Sequence, residues 1–535
     1  MKKIAVMAIA FLLFIPFASI NGNNVSLTND TNGNIFYVGG SGPNNYTKIQ
    51  DAINDAKDGD TVFVYDDSSP YYESVVIDKP INLLGENKEG TVIDGSNEKR
   101  GEILEIRASY VNISYFTIRG GDNDSTIYHT DAIWLTSDAR HTRIIDCNIY
   151  NFHEGVVSHS EASNNFISNC KVWNCAGGIS CGGEDKNGNY VISNSDFNSA
   201  GVCIPSSNNT ILNCTFHLGK IWILDGSGNK LLNNRITGGA IQIEYSSHNI
   251  LRNNTLKDSG FEIVGHGIEN FNQDIDDSNI MQDRPIYYFY NKKDMITDEN
   301  SNTSYIILAL CQNITVKNME LFGSVLAFSS NISFENCSFW GNSVGIYLHN
   351  STYNSIHKCH FENYYPLMIE QSCRNNVSYC TFSGPYVHNI EIWHSSNENT
   401  VVGCTLNGNG IYLGDAHNNT VVKCTISDAG NGIEIDSNDN IVSLCNISHN
   451  NIGVFISGSS NKIYLNNFVG NELNAFCYYG QNIWNAREGG NYWDNYHGFD
   501  LNKDGIGFLP YHIKTYDIRS LLNFDWKPLM NPLKV

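Results

Sequence analysis

NTILNCTF at residues 209–216, NKLLNNRI at 229–236 and NILRNNTL at 249–256 are one motif written three times, each copy starting twenty residues after the last. The template is N-x-I-x-x-C/N-x-I/F. With the first Asn relaxed, it matches fifteen segments, starting at Val111 and ending with the one at Asn461, and outside two gaps the spacing stays between 18 and 25. Between successive matches lies a second motif: GIYLHN at 345, NIEIWH at 389, GIYLGD at 410, GIEIDS at 432 and GVFISG at 453. Its apolar residues alternate with period two, as in a half-buried strand. Template positions +2 and +5 differ by an odd number, so the chain must bend between them for +2, +5 and +7 all to face inward.

A unit of about 21 residues, three short strands and three bends, cannot bury its own apolar face. Stacking each unit on the one before solves this. The expected fold is all-β, a single-stranded right-handed parallel β-helix of about 15–17 coils. A leucine-rich horseshoe would need a helix in each repeat, and a propeller a period near 40. The expected organisation is a signal peptide over 1–22, an N-terminal cap and first coils over 34–100, β-helix over 101–264, an insertion with irregular coils over 265–311, further β-helix over 312–476, and an aromatic C-terminal cap over 477–535. YTKIQDAINDA puts Ile49, Ala52, Ile53 and Ala56 on one face of a short helix suited to plugging an open end.

Composition supports strands and turns over helices: 46 Gly, 11 Pro and 16% charged residues in 535. The net charge of −22 opposes a phosphate backbone, which excludes nucleic acid as a partner. MKKIAVMAIAFLLFIPFASI reads as a secretory signal, and nothing after it is long and apolar enough to span a bilayer, so the protein is expected to be secreted, extracellular or on the cell surface. Fifteen cysteines would ordinarily mean disulfides. Nine of them (Cys147, Cys170, Cys214, Cys337, Cys359, Cys380, Cys404, Cys424, Cys445) fall at template position +5, where they point inward. They are expected to be buried filler rather than soft-metal ligands, because a dry interior raises the thiol pKa and ligation needs thiolate.

In the second motif, the residues alternating with the inward Ile and Leu face solvent. With the adjoining turn they form a stripe of Trp222, Gln242, Glu244 and Glu262, then Tyr347, His349, Met368, Glu370, Glu391, Trp393, His394, Tyr412, Asp415, Glu434, Asp436 and Phe455. Aromatic rings interleaved with carboxylates suit a sugar chain, since rings cover its apolar faces and acids accept its hydroxyl protons. The plainer reading is an ordinary exposed strand face. Glu370, Glu391 and Glu434 lie one or two coils apart, at about 5 or 10 Å, which brackets glycosidase carboxyl separations; they are the weak catalytic candidates. Asp500-Leu-Asn502-Lys-Asp504-Gly-Ile506 carries oxygen ligands spaced as in a calcium loop, though Tyr511 stands where the bidentate acid belongs, and Asp517 is a candidate to complete it.

The segments KIQDAINDAKDGDTVFVYDDSSPYYESVVIDKPINLLGENKEGTVIDGS (48–96), RPIYYFYNKKD (284–294), ILALCQNITVKNMEL (307–321) and GGNYWDNYHGFDLNKDGIGFLPYHI (489–513), with the coils between them, resemble NosD-like secreted proteins of the pectin-lyase-like superfamily. The resemblance implies a right-handed β-helix grouped with carbohydrate-binding and sugar-hydrolase domains, and the family name implies periplasmic copper delivery to nitrous oxide reductase. For copper, the candidate ligands are His349, Met368 and His394, with His129, His153 and His159 on the early coils. The expectation is therefore a surface protein that binds glycan or a cell-envelope polymer along the stripe. The alternatives are a polysaccharide hydrolase or lyase, a copper-delivery protein, and a structural surface-layer or adhesin component.

Overall fold

The computed structural model describes residues 33–97, 100–120, 129–183, 187–384, 388–516 and 522–534. The expected signal peptide, Asp517 and the His129 side chain lie outside them. The chain divides into two compact units, 1–250 and 251–535. Each is a parallel β-solenoid, and about 20 turns are present in all.

In the first unit the template strands Asn112–Ser114, Arg143–Ile145, Phe166–Ser168, Val191–Ser193, Thr210–Leu212 and Lys230–Leu232 pair in parallel, in that order. Their central residues Ile113, Ile144, Ile167, Ile192, Ile211 and Leu231 stack at one level and are buried. In the second unit Phe334, Ile356, Val377, Val401, Val421, Val442 and Ile463 form the same column.

Bends make the stacking workable. The bend required between +2 and +5 falls at position +4, which is left-handed in every match, from Tyr115 and Asp146 through Asn213, Asn233 and Gly403 to Leu465. The residue before the template Asn is left-handed as well. Asn tolerates this region better than other non-glycine residues, which accounts for much of the Asn content.

The template Asn itself points inward and forms a ladder. The backbone N–H of Asn375 donates to Asn399 Oδ1 (2.9 Å), that of Asn399 to Asn419 Oδ1 (2.8 Å), that of Asn419 to Asn440 Oδ1 (2.8 Å) and that of Asn440 to Asn461 Oδ1 (2.9 Å). Asn209 and Asn229 begin the equivalent series in the first unit. Each bend thus has its buried donor satisfied by the next turn, which fixes where one turn sits on another. The nine cysteines at +5 are buried, all fifteen cysteines are free, and Sγ of Cys380, Cys404 and Cys445 each donates to the carbonyl two residues back. Burial pushes the Cys214 thiol up to about 12.

Within 265–311 the 3-10 turns Ile268–Phe271 and Glu299–Ser301 lie between coil strands: Arg284–Tyr290 pairs in parallel with Tyr305–Ala309, and Lys293–Thr297 with Gln312–Lys317. One reversal occurs there, where Ile280–Met281 runs antiparallel to Arg284–Tyr290 across left-handed Gln282 and Asp283. The coil number exceeds the expected 15–17, because Ile35–Val38, Thr61–Val64 and Asn82–Gly85 form turns before Val111. These strands are longer than the three-residue template strand, Asp60 and Ile81 stand where the template Asn would, and no Cys follows at +5, so the template does not match them. The expected helix is present at Ile49–Asp55 with Ile49, Ala52 and Ile53 buried, and Glu73 accepts from the N–H groups of Ile49 and Gln50. After the last template turn, Trp493 stacks between Phe468 (4.4 Å) and Tyr511 (4.3 Å) and donates to Asp525 Oδ2 (2.9 Å).

Candidate functional site

The second motif builds two parallel rows on the outside of the second unit. Register places Tyr347, Met368, Glu391, Tyr412, Glu434 and Phe455 in one row, and His349, Glu370, Trp393, Gly414 and Asp436 in the other. Each row is straight because the inward residues between them, such as Ile369, Ile392, Leu413 and Ile435, are locked into the core. Most of the row residues are half-buried, so their rotamers are constrained by neighbours one turn away.

Glu370 is the hub of the first cluster. Its Oε2 accepts from the Tyr347 hydroxyl and lies 3.3 Å from His349 Nδ1, and its Oε1 lies 2.9 Å from His394 Nδ1. His349, then Tyr347 and His394, outweigh the penalty of burial and hold the Glu370 carboxyl down at about 2. It is a charged, pre-oriented acceptor at any physiological pH. His394 can reach it because its own backbone is left-handed, which folds the ring back over Trp393 at 4.3 Å.

His349 corrects an expectation of solvent exposure. It is only 4% exposed, stacked on Phe271 at 5.8 Å and set edge-on to Phe328 at 5.6 Å. The short 3-10 helix Ile268–Phe271 supplies that aromatic lid, and its packing on a distant strand is invisible to a repeat pattern.

His388, which the sequence pattern does not select, centres the second cluster. Its Nδ1 lies 3.5 Å from Glu391 Oε1 and its Nε2 lies 3.7 Å from Glu434 Oε2, while its ring stacks on Tyr412 at 5.2 Å. Burial works against the imidazolium, but Glu391 and Glu434 outweigh it and raise His388 to about 9. His388 in turn holds Glu434 below the usual carboxylate range, and Asn431 donates to Glu434 Oε2 at 2.8 Å. Strict alternation would not put residues 388 and 391 on one side. A β-bulge between His388 and Ile390 does so.

The remaining predicted residues are more peripheral. Asp415 is exposed and left-handed, 3.6 Å from His417 Nε2, and Asp436 is exposed at the edge of its row. In the 500–506 loop, Asp500 accepts from the N–H groups of Asp504 (3.2 Å) and Gly505 (2.9 Å), Asp504 Oδ1 accepts from the Ile506 N–H (2.9 Å), and Asn502 Nδ2 donates to Asp504 Oδ2 (2.9 Å). Among the described residues, no group of three or more His, Cys, Asp or Glu is disposed to hold a metal ion. Of the copper candidates, His349 and His394 both turn Nδ1 to Glu370, and Met368 lies in the other row.

Comparison with known proteins gives two family matches. Residues 393–498 match the family described as periplasmic copper-binding protein (NosD), and residues 185–301 and 288–406 match the right handed beta helix region. No curated protein matches the chain. Among solved structures, an alginate lyase from Paenibacillus sp. str. FPU-7 is 16% identical with a TM-score of 0.31, covering 59% of this chain and 97% of that one. The catalytic domain of a GH87 alpha-1,3-glucanase in complex with nigerose is 12% identical with a TM-score of 0.34, covering 76% of this chain and 71% of that one. A pectin methylesterase from Yersinia enterocolitica is 12% identical with a TM-score of 0.25, covering 44% of this chain and 94% of that one. Likenesses this distant carry no argument about ligand or reaction.

Proposed function

We propose that this chain, a NosD-like right-handed parallel β-helix protein, binds glycan along the two-row face of its second unit and works in the cell envelope or outside the cell. The observation that carries the reading is the pre-organised acceptor set: Glu370 fixed by Tyr347, His349 and His394, and Glu391 with Glu434 fixed by His388, next to the half-buried rings of Trp393, Tyr412 and Phe455.

A sugar ring offers an apolar face to an aromatic side chain and hydroxyl donors at its rim. Hydrogen bonds to charged acceptors contribute about 1.5–3 kcal/mol each, more than neutral ones. Since the acceptors are already held, little side-chain freedom is lost when a ligand docks. The periplasmic description of the matched family supports an envelope location, and no helix among the described residues is long and apolar enough to cross a membrane.

Hydrolysis is the second reading, favoured by one feature: Glu391 and Glu434 sit two turns apart, about 10 Å along the rows, with His388 between them. His388 is the group in that cluster that carries a proton at neutral pH, so it would have to protonate the leaving group.

The test is a binding screen against oligosaccharides with the wild type and the Trp393→Ala/Tyr412→Ala double variant. Glycan binding predicts saturable association that the double variant loses. Unchanged binding by the variant would sink the assignment. New reducing ends that disappear in Glu391→Gln would instead favour hydrolysis.

A further inference from the structure

The first unit carries a different kind of site. An open trough of about 570 Å³ lies across its third strands, walled by Glu154, Cys175, Leu218, Lys220 and Trp222, with Cys203 at its centre. Gly177, Gly178, Gly201 and Gly219 lie in its lining together with side chains such as Ser180 and Ser199. A Cβ at Gly178 would sit 2.4 Å from the Gly201 carbonyl oxygen, one at Gly201 2.6 Å from that of Lys220, and one at Gly219 1.9 Å from that of Ala200, so the packing of successive turns keeps these three positions bare. The volume is in a size range ordinary for ligand clefts.

The two polar walls differ in character. Lys220 extends over the Trp222 ring, with Nζ 4.2 Å from its centroid, and donates to Gln242 Oε1 at 3.3 Å; it has no acidic partner among the described residues. Glu154 lies over Gly177 as a half-buried carboxyl with no hydrogen-bond partner among the described residues. Their strands are three turns apart, about 14 Å, so a ligand touching both is elongated. One ammonium, with Asp131 and Glu244 nearby, balances one negative charge rather than two.

We propose that the trough binds an elongated hydroxylated monocarboxylate of about disaccharide length, its carboxylate at Lys220 and its hydroxyls at Glu154. An aliphatic acid of the same length would cover the half-buried Glu154 carboxyl without giving it a hydrogen-bond partner, which disfavours it. Burial, then Asp131, raises Glu154 to about 7, so below neutral pH it adds little negative charge opposite the ligand. The groups facing it are Asp131 and His153 on the preceding turn, Cys175 and Cys203 beside it, and Lys220 and Glu244 beyond.

Calorimetric titration of the whole protein with lactobionate, lactose, octanoate and inorganic phosphate tests the assignment. Lactobionate should bind at least tenfold more tightly than the other three. Lys220→Ala should remove that preference, and Cys203→Phe, which fills the trough from a strand position outside the core, should abolish binding. Raising the pH through 7 should weaken lactobionate about twofold, the size of one charge at about 14 Å, and Glu154→Gln should flatten this dependence. Lactose binding equally well, octanoate or phosphate binding more tightly, or no lactobionate binding at all would each overturn the proposal.

Discussion

The outward strand faces of the two units rest on one kind of backbone and present opposite chemistry. In the first unit corner glycines lie bare between Glu154 and Lys220, a trough offering donors and one unmatched positive charge. In the second unit comparable glycines, Gly345, Gly410, Gly432 and Gly453, are flanked by Tyr347, His388, Tyr412 and Glu434, and the face is filled with carboxylates already bonded to histidines. The solenoid interior dictates where side chains emerge. The few that emerge decide what each face can hold, so ligand charge should discriminate between the faces.

The largest effect should come from removing the rings of the second unit. Trp393→Ala with Tyr412→Ala should weaken glycan binding by at least a hundredfold while leaving lactobionate titration of the first unit unchanged; equal loss at both would mean that the variant damages the fold and not the face. Next is the ladder that both faces depend on. Asn399→Ala removes the acceptor of the buried Asn375 N–H and should cost about 1–3 kcal/mol in denaturant unfolding. Cys404→Ala, one buried sulfur in the same turn, should cost about 1 kcal/mol, and a larger loss than at Asn399 would reverse the ranking of the two interior columns.

A smaller effect is pH dependence. His388 is raised in the folded state, so its contribution is complete below its unfolded value near 6.5 and is lost as pH rises through about 9. Glu370 is depressed, so its contribution holds above the ordinary glutamate range and is lost as pH falls toward about 2. Thermal unfolding of wild type against His388→Gln should converge between pH 6.5 and 10, and a constant difference would remove the ion pairs from the account. The smallest effect is expected at the 500–506 turn: Asp500→Ala should shift melting by only a degree or two, and calcium should restore nothing unless the loop takes up the ion.

Much of the fold was legible because the turn is set by local chemistry. A left-handed bend wants Asn, as at Asn208 and Asn213, an inward corner needs a self-pairing amide or a small thiol, as at Asn209 and Cys214, and both recur at fixed positions. The two rows of the second unit follow from alternation alone. What escaped were departures from period. The turns at Arg284–Tyr290 and Tyr305–Ala309 use longer strands without the template amide, the bulge that turns His388 outward leaves no compositional trace, and the aromatic lid over His349 depends on Phe271 folding back from a sequence-distant segment. Of the trough, only Trp222 was legible, on the outward stripe; the glycines 177, 178, 201 and 219 in its lining carry no side chain, so no motif announces the cleft itself.

The central claim, that the second unit holds glycan on its paired rows, is tested most directly by calorimetric titration of neutral, amino and acidic oligosaccharides into wild-type protein and the Trp393→Ala/Tyr412→Ala variant. The account predicts saturable binding of at least one neutral or amino oligosaccharide by wild type, with acidic ones weaker on that face and the heat lost in the variant. An absence of binding across the panel, or binding that survives in the variant, would contradict it.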